Sequence, residues 1–171
     1  MNRFLKKACF LLPLALLLTA AGGCMKDKSI ENAHVPRLMI EKRGVNYGAL
    51  SGIDLTLPVS RTSIRVEKEP LINEFEILNV ELVKVDLGMA LLFQLSEKGS
   101  RILYRASVSE NGSRIVLAVN GNAVGARRID GALESGAFYT FVELPDDQLG
   151  QFVLEMKATL QELQTRKASG W

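Results

Sequence analysis

Histidine and cysteine, the side chains most used in nucleophilic catalysis and transition-metal binding, are scarce in this chain of 171 residues, which contains two cysteines and a single histidine, His34. A serine hydrolase would have to use that histidine, and the sequence lacks the Gly-x-Ser-x-Gly motif that presents the serine in many such enzymes. With one histidine and two cysteines, a transition-metal site has too few ligands. His34 is expected to be a solvated residue of a polar tether. We therefore predict no catalytic set, no bound metal and no cofactor.

Two pairs of carboxylates, Glu74 with Glu76 and Asp146 with Asp147, are the remaining candidates for acid–base chemistry. Glycosidases use paired acids at a defined separation, which neighbours in sequence rarely meet. Asp146 and Asp147 follow Pro145 and fit the first turn of a helix, where acidic side chains offset the positive end of the helix dipole. Glu74 and Glu76 are expected on a solvated edge of the fold. Both pairs therefore favour a structural interpretation over catalysis.

The residues with suitable chemistry for binding a partner are Arg127, Arg128 and Tyr139. The two arginines could belong to a basic patch for an acidic partner, together with other arginines nearby in the sequence. They could also pair with neighbouring acids, in surface ion pairs worth about 0–1 kcal/mol each. Tyr139 lies in the alternating segment 137–143, so its ring can face solvent while a neighbouring ring packs in the core. The other arginines are Arg101, Arg105 and Arg114, and the neighbouring acids are Glu110, Asp130 and Glu134.

The first 23 residues have the pattern of an export signal peptide. A basic start is followed by an apolar run of 14 residues, Ala8 to Ala21, and then by Gly22 and Gly23. A bilayer-spanning helix needs about 20 apolar residues, so this run is too short to span. A charged start, a short apolar segment and small residues at its end are typical of a cleaved secretory signal. We predict that residues 1–23 are removed.

The sequence Ala21-Gly22-Gly23-Cys24 resembles the lipobox of bacterial lipoproteins. In that family the cysteine sulfur receives a diacylglyceryl group, and cleavage then makes the cysteine the first residue. The resemblance implies lipidation of Cys24 and anchoring in the cell envelope. Because Met25 follows rather than an aspartate, the outer membrane, facing the periplasm, is favoured over the inner membrane. Two alternatives stay open: cleavage by a general signal peptidase, which would release a soluble protein, and a retained N-terminal anchor.

Removal of residues 1–23 changes the charge and the cysteine content of the chain. The 148 residues that remain are enough for one domain with a hydrophobic core. The removed segment contains three basic residues and no acid, so the net charge falls from +2 to −1 and gives no reason to expect nucleic acid binding. Cys9 leaves with the signal, and Cys24 is the predicted lipid site. No disulfide within the mature chain is therefore expected.

Composition divides the chain after the signal into four segments. Residues 24–41 are polar and mixed in charge, and are expected to form a lipidated tether. Residues 42–60 are irregular, with a first strand expected in the alternating sequence at 53–57. Residues 61–166 are predicted to form the folded domain, and residues 167–171 a frayed tail.

The order of strand and helix signals in this domain predicts an α+β fold, with one mostly antiparallel sheet and two main helices packed on one face. Ser96 is expected to cap a helix, since its hydroxyl can accept an orphan backbone N–H. Asn120-Gly121 is typical of a tight hairpin turn. The nearly continuous apolar run 89–95 is typical of a central strand covered on both faces. Other strands are predicted over 63–67, 77–85, 114–119, 122–128 and 137–143, and helices over 97–108 and from Pro145 onward.

Three motifs stand out between Phe75 and about Leu149: FQLSEKG at residues 93–99, IVLAVNGNAV at 115–124, and Gly136 before a β segment. With these motifs in this order, the segment resembles the periplasmic head subdomain of the SecD/SecF family of protein-export membrane proteins. The resemblance implies an α+β fold that contacts extended polypeptide outside the inner membrane. Family members also carry six-helix membrane domains, which the resemblance does not include. Translocation coupled to proton flow is therefore not inferred.

Three functions are consistent with these features. The first is a non-catalytic envelope lipoprotein whose domain binds protein or peptide, for which an exposed sheet edge would allow strand addition. The second is a carboxylate-dependent envelope hydrolase, which would need a pocket where two acids converge with perturbed pKa values. The third is a structural spacer subunit of an envelope complex. We favour the first, with no prediction of oligomeric state.

Overall fold

In the computed structural model, which describes residues 33–43 and 52–169, five antiparallel strands are followed by a helix, and three further strands by a second, longer helix. This arrangement confirms the predicted α+β class. A short 3₁₀ turn at Glu74–Glu76 precedes the fourth strand. The elements are β1 Pro36–Ile40, β2 Ile53–Thr56, β3 Ser63–Val66, β4 Ile77–Val85, β5 Gly88–Leu95, α1 Glu97–Ser109, β6 Arg114–Val119, β7 Asn122–Arg128, β8 Ala137–Thr140 and α2 Asp146–Ala168.

The strands of the described part form three small antiparallel sheets rather than the predicted single sheet. The strand orders are β1-β6-β7 (the β6 sheet), β2-β3 (the hairpin) and β4-β5-β8 (the β5 sheet). The two larger sheets meet where the Glu143 N–H donates to the Val124 carbonyl oxygen at 2.7 Å. At Gly125 the backbones come so close that a Cβ there would lie 2.2 Å from the Phe141 carbonyl oxygen. β7 and β8 form no ladder in the described residues, so the two sheets stay separate at this close approach.

Two hydrophobic cores lie on opposite faces of the β6 sheet. The helix-side core joins α1 and α2 to one face of both larger sheets, and the hairpin-side core joins the β2–β3 hairpin to the other face of the β6 sheet. Alternation along a strand sends neighbouring side chains to opposite cores. The helix-side core includes Leu38, Phe93, Leu103, Leu117, Phe138 and Met156; the hairpin-side core includes Met39, Leu55, Ile64, Val66, Val116 and Ala118.

The first strand corrects the predicted tether, which extended to residue 41. β1 pairs with β6 from Pro36 opposite Val119 to Ile40 opposite Ile115. Leu38 is fully buried in the helix-side core, while its neighbours in the strand alternate between the two cores. Only a three-residue apolar run at 38–40 marks this strand, and its partner lies far along the sequence. Because the residues on either side are polar, composition alone does not predict a strand here.

Several local predictions are confirmed. The Ser96 side chain caps α1 by accepting a hydrogen bond from the Gly99 N–H at 3.0 Å. Asn120 and Gly121 both have positive φ, 51° and 83°, as a tight turn between β6 and β7 requires. The end of the final helix, in contrast, differs from the prediction. The helix continues to Ala168, so it includes the first two residues of the predicted tail, 167 and 168.

Candidate functional site

The β5 sheet has one face that neither hydrophobic core covers. Leu91, Phe93 and Phe138 point into the helix-side core and are fully or almost fully buried. Alternation directs the intervening side chains to the other face, which carries Leu92 and Tyr139. Tyr139 is 40% exposed, and Leu92 is partly exposed. We call this surface the outer face; its apolar members are Val83, Val85, Ala90, Leu92 and Tyr139, of which the small Ala90 is fully buried.

Strand register places three side chains of the outer face in one row. Glu81 on β4 lies opposite Leu92 on β5, and Leu92 lies opposite Tyr139 on β8. Neighbouring strands are about 4.8 Å apart, so Glu81 and Tyr139 are separated by about 10 Å. One oxygen of the Glu81 carboxylate accepts a hydrogen bond from the Asn79 side-chain amide at 2.9 Å. The row therefore has an acidic end, an apolar middle and an aromatic end.

Arg127 extends the row beyond Tyr139. Its guanidinium carbon lies 3.8 Å from the centre of the Tyr139 ring and 5.9 Å from that of Phe138. Its Nη1 also donates to the Tyr139 carbonyl oxygen at 3.3 Å. Stacking of this kind contributes about 0.5–1 kcal/mol at an exposed site. Two of the three residues predicted to bind a partner, Arg127 and Tyr139, are thus brought together by the approach of β7 to β8.

The third predicted residue, Arg128, lies elsewhere. It is opposite Arg114 in the β6–β7 ladder. Its guanidinium and that of Arg43 lie 3.5 Å and 3.0 Å from the position that a Cβ of Gly112 would occupy. Arg114 itself forms a forked ion pair with Glu41, at 2.6 Å and 3.0 Å. In the described residues, no arginine of the predicted patch pairs with Glu110, Asp130 or Glu134.

The outer face is bounded by β4, which is the terminal strand of its sheet among the described residues. A bulge between Ile77 and Asn79 leaves Leu78 51% exposed. In the β6 sheet, by contrast, the terminal strand β1 is capped, because Leu38 and Ile72 exchange two backbone hydrogen bonds at 3.0 Å and 3.1 Å. The edge of β4 can therefore offer backbone donors and acceptors to a further strand.

Glu74 and Glu76 do not lie on a solvated edge, which corrects the sequence prediction. Glu76 is only 7% exposed; its carboxylate accepts a hydrogen bond from the Ser96 hydroxyl, which lowers its pKa. Glu74 forms a forked ion pair with Arg37 at 2.8 Å and 2.9 Å, and this hydrogen bonding lowers the Glu74 pKa. Both carboxylates are held in the charged form by separate partners. They anchor local structure and do not converge on one site.

His34 is also more ordered than the sequence predicts. Its backbone N–H donates to the Thr159 hydroxyl at 2.9 Å, and its ring packs edge-on against Phe152 at 5.1 Å. The ring nitrogen Nδ1 lies 3.4 Å from a carboxylate oxygen of Glu155. Next to it, the Val35 N–H donates to the Asn120 side chain at 3.0 Å. The chain is therefore fixed to α2 and to the β6–β7 turn where it enters the fold.

Other sites in the described part offer little chemistry. An open cavity of about 500 Å³ beside α1 is lined by Glu97, Arg101, Tyr104 and Glu134, and Glu97 pairs with Arg101. No group of three or more His, Cys, Asp or Glu side chains among residues 33–43 and 52–169 could hold a metal ion. In the same residues, no helix has the length and apolar character needed to cross a bilayer. Cys24, the predicted lipid site, lies outside the described residues.

Comparison with known proteins identifies a fold relationship. No protein family and no curated protein matches the chain. A crystal structure of SecDF in the super-membrane-facing form matches with a TM-score of 0.56 and 12% identity, over 73% of this chain and 19% of that one. A structure described as a membrane component SecDF that enhances protein export matches with a TM-score of 0.54 and 13% identity, over 74% of this chain and 63% of that one. The chain thus spans less than two thirds of either SecDF chain and has a SecDF-like α+β fold, in agreement with the sequence resemblance.

Proposed function

We propose that this chain is a non-catalytic envelope lipoprotein whose outer face binds a segment of another polypeptide. The observation that carries the proposal is the contrast between the two larger sheets. The outer side of the β6 sheet is buried under the hairpin, whereas Leu92 and Tyr139 belong to neither core. A row of partly exposed apolar side chains with charged ends matches the apolar centre and polar rim of protein interfaces.

Two further features support a polypeptide as the ligand. The edge of β4 lies beside the outer face and can extend the sheet through backbone hydrogen bonds. The solved structure with a similar fold is described as a component that enhances protein export. A segment that is being moved through the envelope would lay its side chains across the strands on the outer face, and the residues that continue past β4 would meet the backbone groups of its edge.

Attachment through a lipid on Cys24 completes the proposal. Because the chain is already fixed at Ala33, where its carbonyl oxygen accepts from the Asn120 side chain, only residues 24–32 separate the lipid from the fold. That length of chain spans about 30 Å when extended. The domain would therefore work close to the membrane surface, which we propose to be the outer membrane facing the periplasm. Globomycin treatment should accumulate an uncut, lipid-modified precursor, detectable by mass spectrometry; a mature N-terminus other than Cys24 would contradict the anchor.

The binding proposal is tested with matched substitutions on the full-length protein in detergent micelles. Leu92 lies on the outer face, whereas Leu154 is exposed on α2. The probe is reduced, carboxymethylated lactalbumin, a permanently unfolded polypeptide, with affinity measured by fluorescence anisotropy. Leu92→Lys should weaken binding at least about tenfold, since a lost apolar contact of 1.4 kcal/mol or more has that effect. Leu154→Lys should leave the affinity unchanged; equal effects of the two substitutions would overturn the proposal.

The alternative of a carboxylate-dependent hydrolase gains no support from the acids of the described part. A general acid needs a raised pKa. Every described carboxyl group whose pKa departs clearly from its ordinary value is shifted downward, as for Glu41 beside Arg114. A structural spacer subunit remains an alternative and would be recognised as a stable stoichiometric assembly.

A further inference from the structure

We infer that the segment bound on the outer face carries an acidic side chain that pairs with Arg127 and, three or four residues away, a basic side chain that pairs with Glu81. This inference rests on the proposed function and specifies its ligand. It depends on three features of the row: the opposite charges of Glu81 at one end and Arg127 at the other, the distance between these two side chains, and the apolar residues that lie between them.

Arg127 is the end of the row that would receive a carboxylate. The guanidinium has five N–H donors, and among the described residues only Nη1 has a hydrogen-bond partner, the Tyr139 carbonyl oxygen. Stacking on the Tyr139 ring fixes the plane of the group, which prepares it for forked pairing with a carboxylate. Within residues 33–43 and 52–169, no acid forms an ion pair with it.

Other arginines of the fold show what Arg127 lacks. Arg37, Arg65 and Arg114 each form a fork on an acidic side chain, with hydrogen bonds between 2.6 Å and 3.0 Å. These pairs connect elements of the same chain. Arg127 is held instead by a ring and a carbonyl oxygen, and no carboxylate of the described part pairs with its guanidinium. A carboxylate from a partner would complete the same arrangement.

Glu81 is the end of the row that would receive a cation. Asn79 donates to its Oε1, and no residue of the described part donates to its Oε2. The side chain is partly exposed on the outer face. Two strand spacings, about 10 Å, separate β4 from β8, and the Arg127 guanidinium lies over the Tyr139 ring of β8, 3.8 Å from its centre. An extended chain advances about 3.3 Å per residue. A segment that crosses the strands would therefore place opposite charges three or four residues apart, with apolar residues over Leu92.

A panel of labelled synthetic peptides tests this pattern on the full-length protein in detergent micelles. Three peptides of twelve residues share a background of threonine and valine. The first carries Asp and Lys three residues apart, the second carries Asn and Gln at those positions, and the third carries Asp and Lys as neighbours. Anisotropy titrations at low salt should give the first peptide an affinity about tenfold higher than the other two. This advantage should shrink at high salt, because exposed charges are then screened.

Substitutions of Arg127 and Glu81 test whether the higher affinity of the first peptide comes from these two ends of the row. Arg127→Gln should remove it, whereas Arg127→Lys should retain part of it because the charge remains but the fork is lost. Arg101→Gln is the matched control, because Arg101 lies exposed on α1 and pairs with Glu97, so this variant should behave as the unsubstituted protein. Glu81→Lys should shift the preference to a peptide with two Asp residues three positions apart.

Two failures can be distinguished. If the three peptides bind equally and Leu92→Lys weakens all of them, the charge pattern is wrong and the proposed function stands. If no peptide binds in a way that Leu92→Lys weakens, the outer face is not a binding surface, and the proposed function and this inference both fall.

Discussion

The two larger sheets of this fold share their helices but differ in what lies on their other side. In β6, every residue from Ile115 to Val119 is at most 5% exposed, because the helix-side core covers one face and the hairpin the other. In β5, Leu91 and Phe93 are fully buried while Leu92 and Gln94 are not. The β6 sheet is thus covered on both faces, whereas the β5 sheet is covered on one face by the helix-side core and keeps partly exposed side chains on the other.

The largest expected effect comes from the same substitution on corresponding faces of the two sheets. Val116 is fully buried beneath the hairpin, and Val83 is partly exposed on the outer face. Val116→Lys would bury an unpaired charge and should lower the free energy of unfolding by more than about 4 kcal/mol. Val83→Lys should change it by less than about 1 kcal/mol. Urea denaturation of both variants gives the comparison, and similar losses would mean that the outer face is also covered.

A pair of glycine substitutions tests the close approach of the two larger sheets. A Cβ at Gly125 would lie 2.2 Å from the Phe141 carbonyl oxygen, whereas one at Gly150 on the exposed side of α2 has no neighbour within 4 Å. Gly125→Ala should therefore destabilise the fold by about 2 kcal/mol. Gly150→Ala should stabilise it by about 0.5–1 kcal/mol, since alanine is the better helix former. Thermal unfolding measures the stability change in both variants. If Gly125→Ala left the stability unchanged, the two sheets would be able to move apart at this position.

A smaller effect is expected from the carboxylate beneath the first turn of α1. The hydrogen bond from Ser96 lowers the pKa of Glu76 below its unfolded value near 4.3. A lowered carboxyl pKa stabilises the fold above that unfolded value, and the contribution is lost as the pH falls through the folded pKa. Glu76→Gln should therefore cost about 1.5 kcal/mol at pH 7, and less at pH 3.

The control for this prediction is Glu97→Gln, in the first turn of the same helix, where the side chain is largely exposed. It should change stability by a few tenths of a kcal/mol at either pH. Glu41 and Glu74 also have lowered pKa values, so some acid sensitivity should persist in both variants. A loss that is equal at pH 7 and pH 3 for Glu76→Gln would contradict the assignment of this charge.

The comparison of the sheets also shows where the sequence was informative. The apolar runs at 89–95 and 114–119 both predict strands, and both strands are central in their sheets. The interpretation that the first of these runs is covered on both faces is wrong for Leu92. An apolar run indicates that burial of its side chains would be favourable. It does not indicate whether another element of the fold packs against each face of the strand. The hairpin covers only one of the two sheets, and that depends on long-range topology.

The candidate site was predicted only in part, for a related reason. Arg127 and Arg128 look equivalent in sequence, but alternation along β7 directs them differently, one onto Tyr139 and the other towards Gly112. Glu81 was not singled out, because its place in the row depends on the register of β4 with β5. Local motifs such as Ser96 and Asn120-Gly121 were predicted because their hydrogen bonds and backbone angles depend on near neighbours.

Hydrogen–deuterium exchange of the full-length protein, with and without saturating carboxymethylated lactalbumin, tests the central claim most directly. If the outer face binds polypeptide, amides of β4, β5 and β8 should exchange more slowly in the complex, while those of the β2–β3 hairpin should be unchanged. Protection confined to the hairpin, or saturation without protection in the β5 sheet, would contradict the account.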